Sequence, residues 1–360
     1  MEAKQQTRRG GLSRLALAEE KTAWYLLFPS LLILLLIAIY PLAQVFYLSL
    51  TNKRFASNQE TEYVGFSNYR QLLSMTIREL PPKLDDSGEQ IVKDGEPQYQ
   101  SWVKVLPREP LRYREVREFS WFGKRYVLGA TDADFILSIW DTLSFTVIAV
   151  SLETLLGLII ALALARRFFG RAAMRTAMLI PWAIITVVSS LIWEWMFRSD
   201  RSGFFNSLLN QLGFTDGNTV WLVDKALQMP SIIAIDVWKT TPFMALLLLA
   251  GLSTIPRELY EAARVDGANA VRQFFSITLP LLFPTLTVAL IFRTLDSLRV
   301  FDLFQIIFGE KRYSMATFTQ FELVAAKNMG MSSAASVVIF IILFIFAMFY
   351  MRIFGVDVDE

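Results

Sequence analysis

Thirty consecutive residues, Ala23 to Asn52, carry no charged side chain. About 20 apolar residues suffice for a helix to cross a hydrocarbon core, so the sequence predicts a first membrane span over 23–52. A cleaved leader is disfavoured, because the apolar run is too long and no small-x-small site follows it. Similar runs recur at about 136–165, 174–197, 231–254, 278–301 and 329–351. The chain therefore reads as an all-α membrane protein of six transmembrane helices. Pro29, Pro41, Pro181, Pro242 and Pro284 fall in or near these runs, where neighbouring helices can re-satisfy the freed carbonyls.

Six spans place both termini on one side, and Lys and Arg near the span ends choose which. The tail 1–22 carries Lys4, Arg8, Arg9, Arg14 and Lys21. The second connection carries Arg166, Arg167, Arg171 and Arg175, and the fourth carries Arg257, Arg264 and Arg272. These face the cytoplasm, together with a C-terminal tail at 352–360. The outward connections, about 198–230 and 302–328, hold three basic residues each, balanced by as many acids. A core at 135–301 thus contains spans two to five, with a cytoplasmic loop at 255–280. The first connection, 53–134, reads as an external insertion of mixed structure: a turn-rich polar stretch precedes β-prone aromatics.

The chain has no His and no Cys among its 360 residues. That excludes disulfides, thiolate or imidazole metal sites and Ser-His or Cys-His catalysis within it, and no metal site is expected. The formal net charge of +2, scattered along the chain, gives no footprint for nucleic acid.

Two stretches carry chemistry. The first is "EAARVDGANA", Glu261 to Ala270, between spans four and five. Arg257–Val265 is rich in helix formers, Gly267 supplies a turn, and Pro280 and Pro284 mark the start of the next span. The expected shape is helix, turn, helix. Val271, Phe274, Phe275 and Thr278 form the packing face, Arg272 and Gln273 point elsewhere, and Glu261 and Arg264 are free for another protein. The second is the set of ionisable residues inside spans: Asp236 and Lys239 in span four, Arg293, Asp296 and Arg299 in span five. Charge in hydrocarbon is costly, so these are candidates for an aqueous path or for i, i+3 pairs at a helix contact. Glu153 and Glu194 have no assigned role, and Trp182, Trp193, Trp195 and Trp238 read chiefly as belt or packing aromatics.

The stretch from Glu261 to Pro280, with "VWKTTPFMALLLLAGLSTIP" before it, "FRTLDSLRVFD" after it, "MLIPWAIITVVSSLIW" in span three and "VGFSNYRQLL" after span one, resembles the permease subunits of binding-protein-dependent ATP-binding-cassette importers of the maltose/trehalose type. The external insertion is longer than the family minimum, and "IIFGEKRYS" replaces the Thr-x-Gly-Gly-Pro of many relatives. The resemblance implies a prokaryotic cytoplasmic (inner) membrane location. It implies that the 255–280 loop is a coupling hairpin docked in a cytoplasmic ATPase, with Glu261 pairing to a basic group, Gly267 turning the chain, Ala262, Ala263 and Ala268 packing closely, and Asp266 completing the motif. It further implies a sugar pathway lined by Lys239, Thr240, Phe243, Arg293, Asp296, Ser297, Val300 and Asp302. On that reading Arg293→Ala or Asp296→Ala stops transport but spares assembly. The implied partners are a second homologous permease subunit, two ATPase subunits and an external sugar-binding protein or lipoprotein, with membrane lipid around them. The chain contains no G-x-x-x-x-G-K-[ST] loop, so it is not itself an ATPase; no cofactor is expected in it, and ATP and Mg would belong to the partners. A polyol, glycoside or glycerol phosphodiester is the alternative cargo. An ion-coupled secondary transporter is the alternative of another class.

Overall fold

The computed structural model describes residues 14–85, 88–93, 96–166, 168–200 and 202–354. Lys4, Arg8, Arg9 and Arg167, used above for orientation, and most of the 352–360 tail lie outside the described residues. Five of the described helices are long and apolar enough to cross a bilayer, or six if one bent pair counts as a span.

The first, α1 (Lys21–Leu48), has every side chain from Lys21 to Gln44 exposed. A π-helical turn at Leu35–Ile39 precedes Pro41, where the missing N–H would otherwise break the ladder. After α2 (Ser67–Leu73) the chain builds a small module from β1 (Met75–Glu79), β2 (Val92–Lys93), β3 (Glu96–Pro97), α3 (Trp102–Val105), β4 (Arg114–Trp121) and β5 (Lys124–Ala130). The main sheet is antiparallel in the order β1-β5-β4, and Leu80, Leu106 and Val127 form its own buried cluster. Asp132 then caps α4 (Ala133–Ala165) by accepting from the Phe135 amide at 3.0 Å.

The expected third span is not one continuous helix. Instead α5 (Arg171–Ala183) and α6 (Thr186–Met196) meet at 90°. Pro181 withholds a donor near the end of α5, and Ile184 and Ile185 leave the helical region with ψ of 131° and 135° before the helix resumes at Thr186. The chain continues through α7 (Phe204–Gln211), α8 (Lys225–Ser253), α9 (Arg257–Val265) and α10 (Ala270–Ser297). It ends with α11 (Asp302–Phe308), α12 (Met315–Val324) and α13 (Met329–Phe354). Pro280 and Pro284 do not mark where the fifth apolar helix begins, because α10 is continuous from Ala270. A π turn at Phe274–Thr278 absorbs the defect before Pro280.

The bundle is organised around α4 and α8, the most extensive helix contact among the described residues. Gly157 makes their close approach possible. A Cβ there would lie 3.0 Å from Met244 Cβ and 3.1 Å from the Ala245 backbone nitrogen. Gly157→Leu is therefore expected to force the two helices apart at a cost of roughly 1–3 kcal/mol. Thermal unfolding of the purified chain checks this: the midpoint should fall well below that of the wild type, and further than for Gly157→Ala. Above and below this contact sit two apolar clusters, one around Phe145, Ile232 and Phe304 and one around Leu164, Leu248 and Leu282.

Candidate functional site

Between these two apolar layers three helices place their ionisable side chains on one point. Glu153 of α4 is 0% exposed and Arg293 of α10 is 4% exposed. The Arg293 Nε donates to Glu153 Oε2 at 2.5 Å and its Nη2 donates to Glu153 Oε1 at 2.9 Å. The same Nη2 reaches Asp236 Oδ2 of α8, and Nη1 donates to Asp296 Oδ2 at 2.8 Å. The Thr240 hydroxyl donates to Glu153 Oε1 at 2.6 Å. One guanidinium thus joins α4, α8 and α10, using its planar fork on Glu153 and its outer edge on two further carboxylates. Neither of the i, i+3 pairings imagined from sequence describes this fully. Arg293 does pair with Asp296, but Asp236 pairs with Arg293 rather than with Lys239, whose Nζ donates to the Trp182 carbonyl at 3.4 Å.

The cluster forms one wall of a 260 Å³ cavity. Seven of the eight residues expected to line a pathway do line it: Lys239, Thr240, Arg293, Asp296, Ser297, Val300 and Asp302. Phe243 does not. It stacks against Trp182 with ring centroids 6.0 Å apart, and it is the half-exposed indole that lines the cavity. Trp182 lies near the end of α5, just before the 90° break, and no linear motif announces its place in the cavity wall. Ser297 is buried and donates to Thr146 at 3.1 Å. Lys239, Arg293 and Arg299 line the cavity together with Asp236, Asp296 and Asp302, so its lining charges balance in number.

The role of Glu153 was illegible in sequence, although an acid embedded in an apolar helix is itself a signal. Its partner lies 140 residues away. Among the aromatics, Trp193 stacks with Phe205 and meets Trp238 edge-on, while Trp195 and Glu194 are exposed. A second ionic tie closes the other end of the bundle. Within "IIFGEKRYS", Arg312 grips Asp141 of α4 through two hydrogen bonds at 2.6 and 2.7 Å and donates to Gln228 of α8 at 3.0 Å.

Near that end Glu322 of α12 has its carboxyl pushed up to about 7, first by burial and then by the charge of Asp132. The folded chain therefore holds this proton more tightly than the unfolded chain, whose ordinary value is 4.5. The sign follows: the contribution of Glu322 to stability is full below about 4.5 and is lost as pH rises through about 7. Glu322→Gln is expected to flatten that part of the stability profile in thermal melts between pH 5 and 8.

The hairpin stretch closes with a left-handed glycine. Gly267 has φ +77°, the Ala268 amide donates to the Ala263 carbonyl at 2.8 Å, and the Gly267 amide donates to the Arg264 carbonyl at 3.1 Å. This is a Schellman cap, which only a residue tolerating positive φ completes without strain. Asn269 then caps α10 by accepting from the Arg272 amide at 2.9 Å. Glu261, Ala262, Arg264 and Asp266 are exposed, with Ala263 and Ala268 half-buried. The expected packing face is different from the one observed. Val271 and Phe275 are exposed, whereas Gln273 turns inward to donate to the Ala268 carbonyl at 2.8 Å, and Thr278 is buried against the Tyr260 hydroxyl at 3.0 Å. Gln273 thereby satisfies a carbonyl that the turn leaves open.

Residues 153–358, which span both the ionic cluster and the hairpin, match the family described as binding-protein-dependent transport system inner membrane component. The chain belongs to that family. It is accordingly a membrane transport subunit. It is 42% identical over 236 residues to the trehalose/maltose transport system permease protein MalF of Thermococcus litoralis, covering 64% of this chain and 78% of that one. It is 30% identical to the trehalose transport system permease protein SugA of Mycobacterium tuberculosis, over 94% of this chain and 90% of that one. It is 32% identical to the sulfoquinovosyl glycerol transport system permease protein SmoG of Agrobacterium fabrum, over 94% and 92%. A chain in the crystal structure of a bacterial alginate ABC transporter has the same fold, with a TM-score of 0.67, 18% identity and coverage of 93% and 94%.

Proposed function

We infer that this permease forms half of the translocation path of an ATP-binding-cassette importer and carries a neutral di- or oligosaccharide of the trehalose/maltose class. The observation that carries the reading is the 260 Å³ cavity, where a half-exposed indole, a lysine, an arginine and two partly free carboxylates meet inside an apolar bundle. A sugar offers many hydroxyls and an apolar ring face, which suit such a lining. The balanced lining charges favour a neutral sugar over an anionic glycoside of the kind named for the Agrobacterium relative. Arg293 is here the fixed back wall, and Lys239, Arg299, Asp296 and Asp302 are the groups free to reach cargo.

The finer arrangement belongs to the same reading. The bent α5–α6 pair counts as the third of six spans, both termini and the hairpin face the cytoplasm, and the sheet module faces outward toward the external binding protein. Glu261 meets a basic group in the cleft of an ATPase subunit, which holds ATP and Mg. The exposed apolar surface of α1 lies against lipid and the second permease subunit, since it has almost no cover from its own chain. ATP-driven closure of the motor then moves the hairpin and α10 together, because no flexible residue separates them after Asn269.

The test is ATPase activity of the reconstituted complex across a panel of sugar-loaded binding proteins. Stimulation by trehalose or maltose and not by sulfonated or phosphorylated glycosides is expected. Stimulation only by an anionic glycoside would defeat the cargo assignment, and transport that persists without any ATPase would defeat the importer mechanism.

A further inference from the structure

At the end of the bundle opposite the hairpin, Arg312 is tied to two helices at once. Its Nε and Nη2 donate to the two oxygens of Asp141 at 2.6 and 2.7 Å, and its Nη1 donates to Gln228 Oε1 at 3.0 Å. Asp141 belongs to α4 and Gln228 to α8, whereas Arg312 sits in the loop that joins α11 to α12. The same loop is seated by the Ser314 hydroxyl, which donates to the Val300 carbonyl at 2.7 Å, and by the Met315 amide, which donates to the Thr142 hydroxyl at 2.9 Å.

What lies beneath the loop gives the tie a use. Phe145 and Ile232 stand one helical turn further along α4 and α8 than Asp141 and Gln228, and both pack with Phe304 and Phe308 of α11 in one buried apolar cluster. Phe304 meets Phe145 edge-on with ring centroids 5.6 Å apart, and the Arg312 guanidinium lies 5.9 Å from the Phe308 ring centre. The cargo cavity follows, walled on this side by Phe145, Val300, Phe301, Asp302 and Leu303. The short helix α11 thus has its first residues in the cavity wall, Phe304 and Phe308 in an apolar plug, and Arg312 just beyond it.

The two ionic ties of the bundle differ in kind. Arg293 and Glu153 are sealed, so parting them strands charge in apolar surroundings. Arg312 and Asp141 keep 20% and 11% of their side chains in contact with solvent. Water can therefore take over their hydrogen bonds as they part, and this tie is reversible. An apolar plug alone fixes no register, whereas a bidentate guanidinium–carboxylate pair holds one.

We propose that Arg312 is the latch of an outer lid on the cavity. Paired with Asp141 and Gln228, it holds α11 and its phenylalanine plug across the mouth, and its release opens the cavity to the outside. The latch rests on the outward orientation of this end given above, and not on the identity of the cargo.

The chain contains no cysteine, so a single Val300→Cys reports access to the cavity. The full complex in right-side-out vesicles, with no binding protein added, is treated from outside with a membrane-impermeant methanethiosulfonate, and modification of this chain is followed by mass spectrometry. Modification should be slow with the tie intact and about tenfold faster or more in Arg312→Gln and in Asp141→Asn, because each removes charge-assisted hydrogen bonds that favour the closed lid. Exchange of the pair, Arg312→Asp with Asp141→Arg, should slow it again, which a general loosening of the bundle would not do. Arg114→Gln, which breaks an exposed ion pair with Asp134 at the start of α4, should leave it slow. Arg312→Lys keeps the charge without the planar fork and should fall between; it supplies the reading if Arg312→Gln lowers the thermal midpoint. Unchanged rates in Asp141→Asn and Arg312→Gln, or in Arg312→Lys where the glutamine variant melts early, would overturn the proposal. So would an exchanged pair that stays fast, or equal acceleration by Arg114→Gln. Failure of Ser120→Cys, exposed on β4, to react from outside would instead overturn the outward orientation and the lid's outer placement with it, so the two failures are told apart.

Discussion

Arg293→Ala is expected to destabilise the folded chain by about 3–5 kcal/mol, the usual penalty for removing one partner of a buried ionic group. It leaves Glu153 and Asp236 without their cation and removes a strut shared by α4, α8 and α10. The expected observation is a large fall in thermal midpoint and in recovery of assembled complex, not merely lost transport. This differs from the expectation that the resemblance implies, which treated Arg293 and Asp296 alike as groups that stop transport and spare assembly. The two are distinct because Asp296 has 72% of its side chain exposed, whereas Arg293 has 4%. Asp296→Asn should therefore leave melting close to wild type while changing the dependence of transport on sugar. A pair of melts that place Arg293→Ala beside wild type would sink the account of Arg293 as a strut. Glu153→Gln and Asp236→Asn combined with Arg293→Met should recover much of the lost stability, since removing the buried charges together is far less costly than removing their cation alone.

Glu261→Lys should behave in the opposite way, losing coupled transport with no loss of fold. Its side chain is exposed on α9 and makes no ion pair among the described residues, so reversing its charge disturbs nothing within the chain. If it meets a basic group of an ATPase, the reversal replaces attraction by repulsion, an effect of about 2–5 kcal/mol on docking, or roughly 30-fold and more in the affinity of the pair. Copurification of the ATPase should drop accordingly while the thermal midpoint of the permease stays unchanged. Full copurification with normal sugar-stimulated hydrolysis would remove Glu261 from the coupling contact.

How far the sequence could be read depended on the range of the interaction concerned. Hydropathy located the apolar helices, although α8 and α10 begin at Lys225 and Ala270, before the apolar runs expected from about 231 and 278; burial in lipid acts on each segment alone and does not require knowing its neighbours. The turn at Gly267 was equally legible, since a left-handed residue after a run of helix formers is a local matter of sterics. The third apolar stretch misled for the same reason: its mean hydropathy counts residues, whereas its path depends on where Pro181 and the Ile184–Ile185 pair let the helix break. Prolines misled in the other direction at Pro280, where one π turn kept the helix whole. Within the hairpin, the apolar periodicity of Val271, Phe274 and Phe275 pointed to a packing face, but the open carbonyl of Ala268 claimed Gln273 instead.

Sequence by itself determined that this chain is a bundle of membrane helices with a charged, glycine-turned interruption between its fourth and fifth apolar stretches, and it named the helix positions where charge would be found. Those properties follow from short-range rules: the cost of polar backbone in lipid, the period of a helix, the steric freedom of glycine. Tertiary structure alone decided which charge answers which. It set Glu153 against Arg293 across 140 residues, left Asp296 partly free, put Trp182 rather than Phe243 on the cavity wall, and brought Arg312 against Asp141 across 171 residues. An ion pair inside a low-dielectric bundle is decided by distances of a few ångströms between segments far apart in the chain, and only the packing of α4 against α8 and α10 supplies those distances.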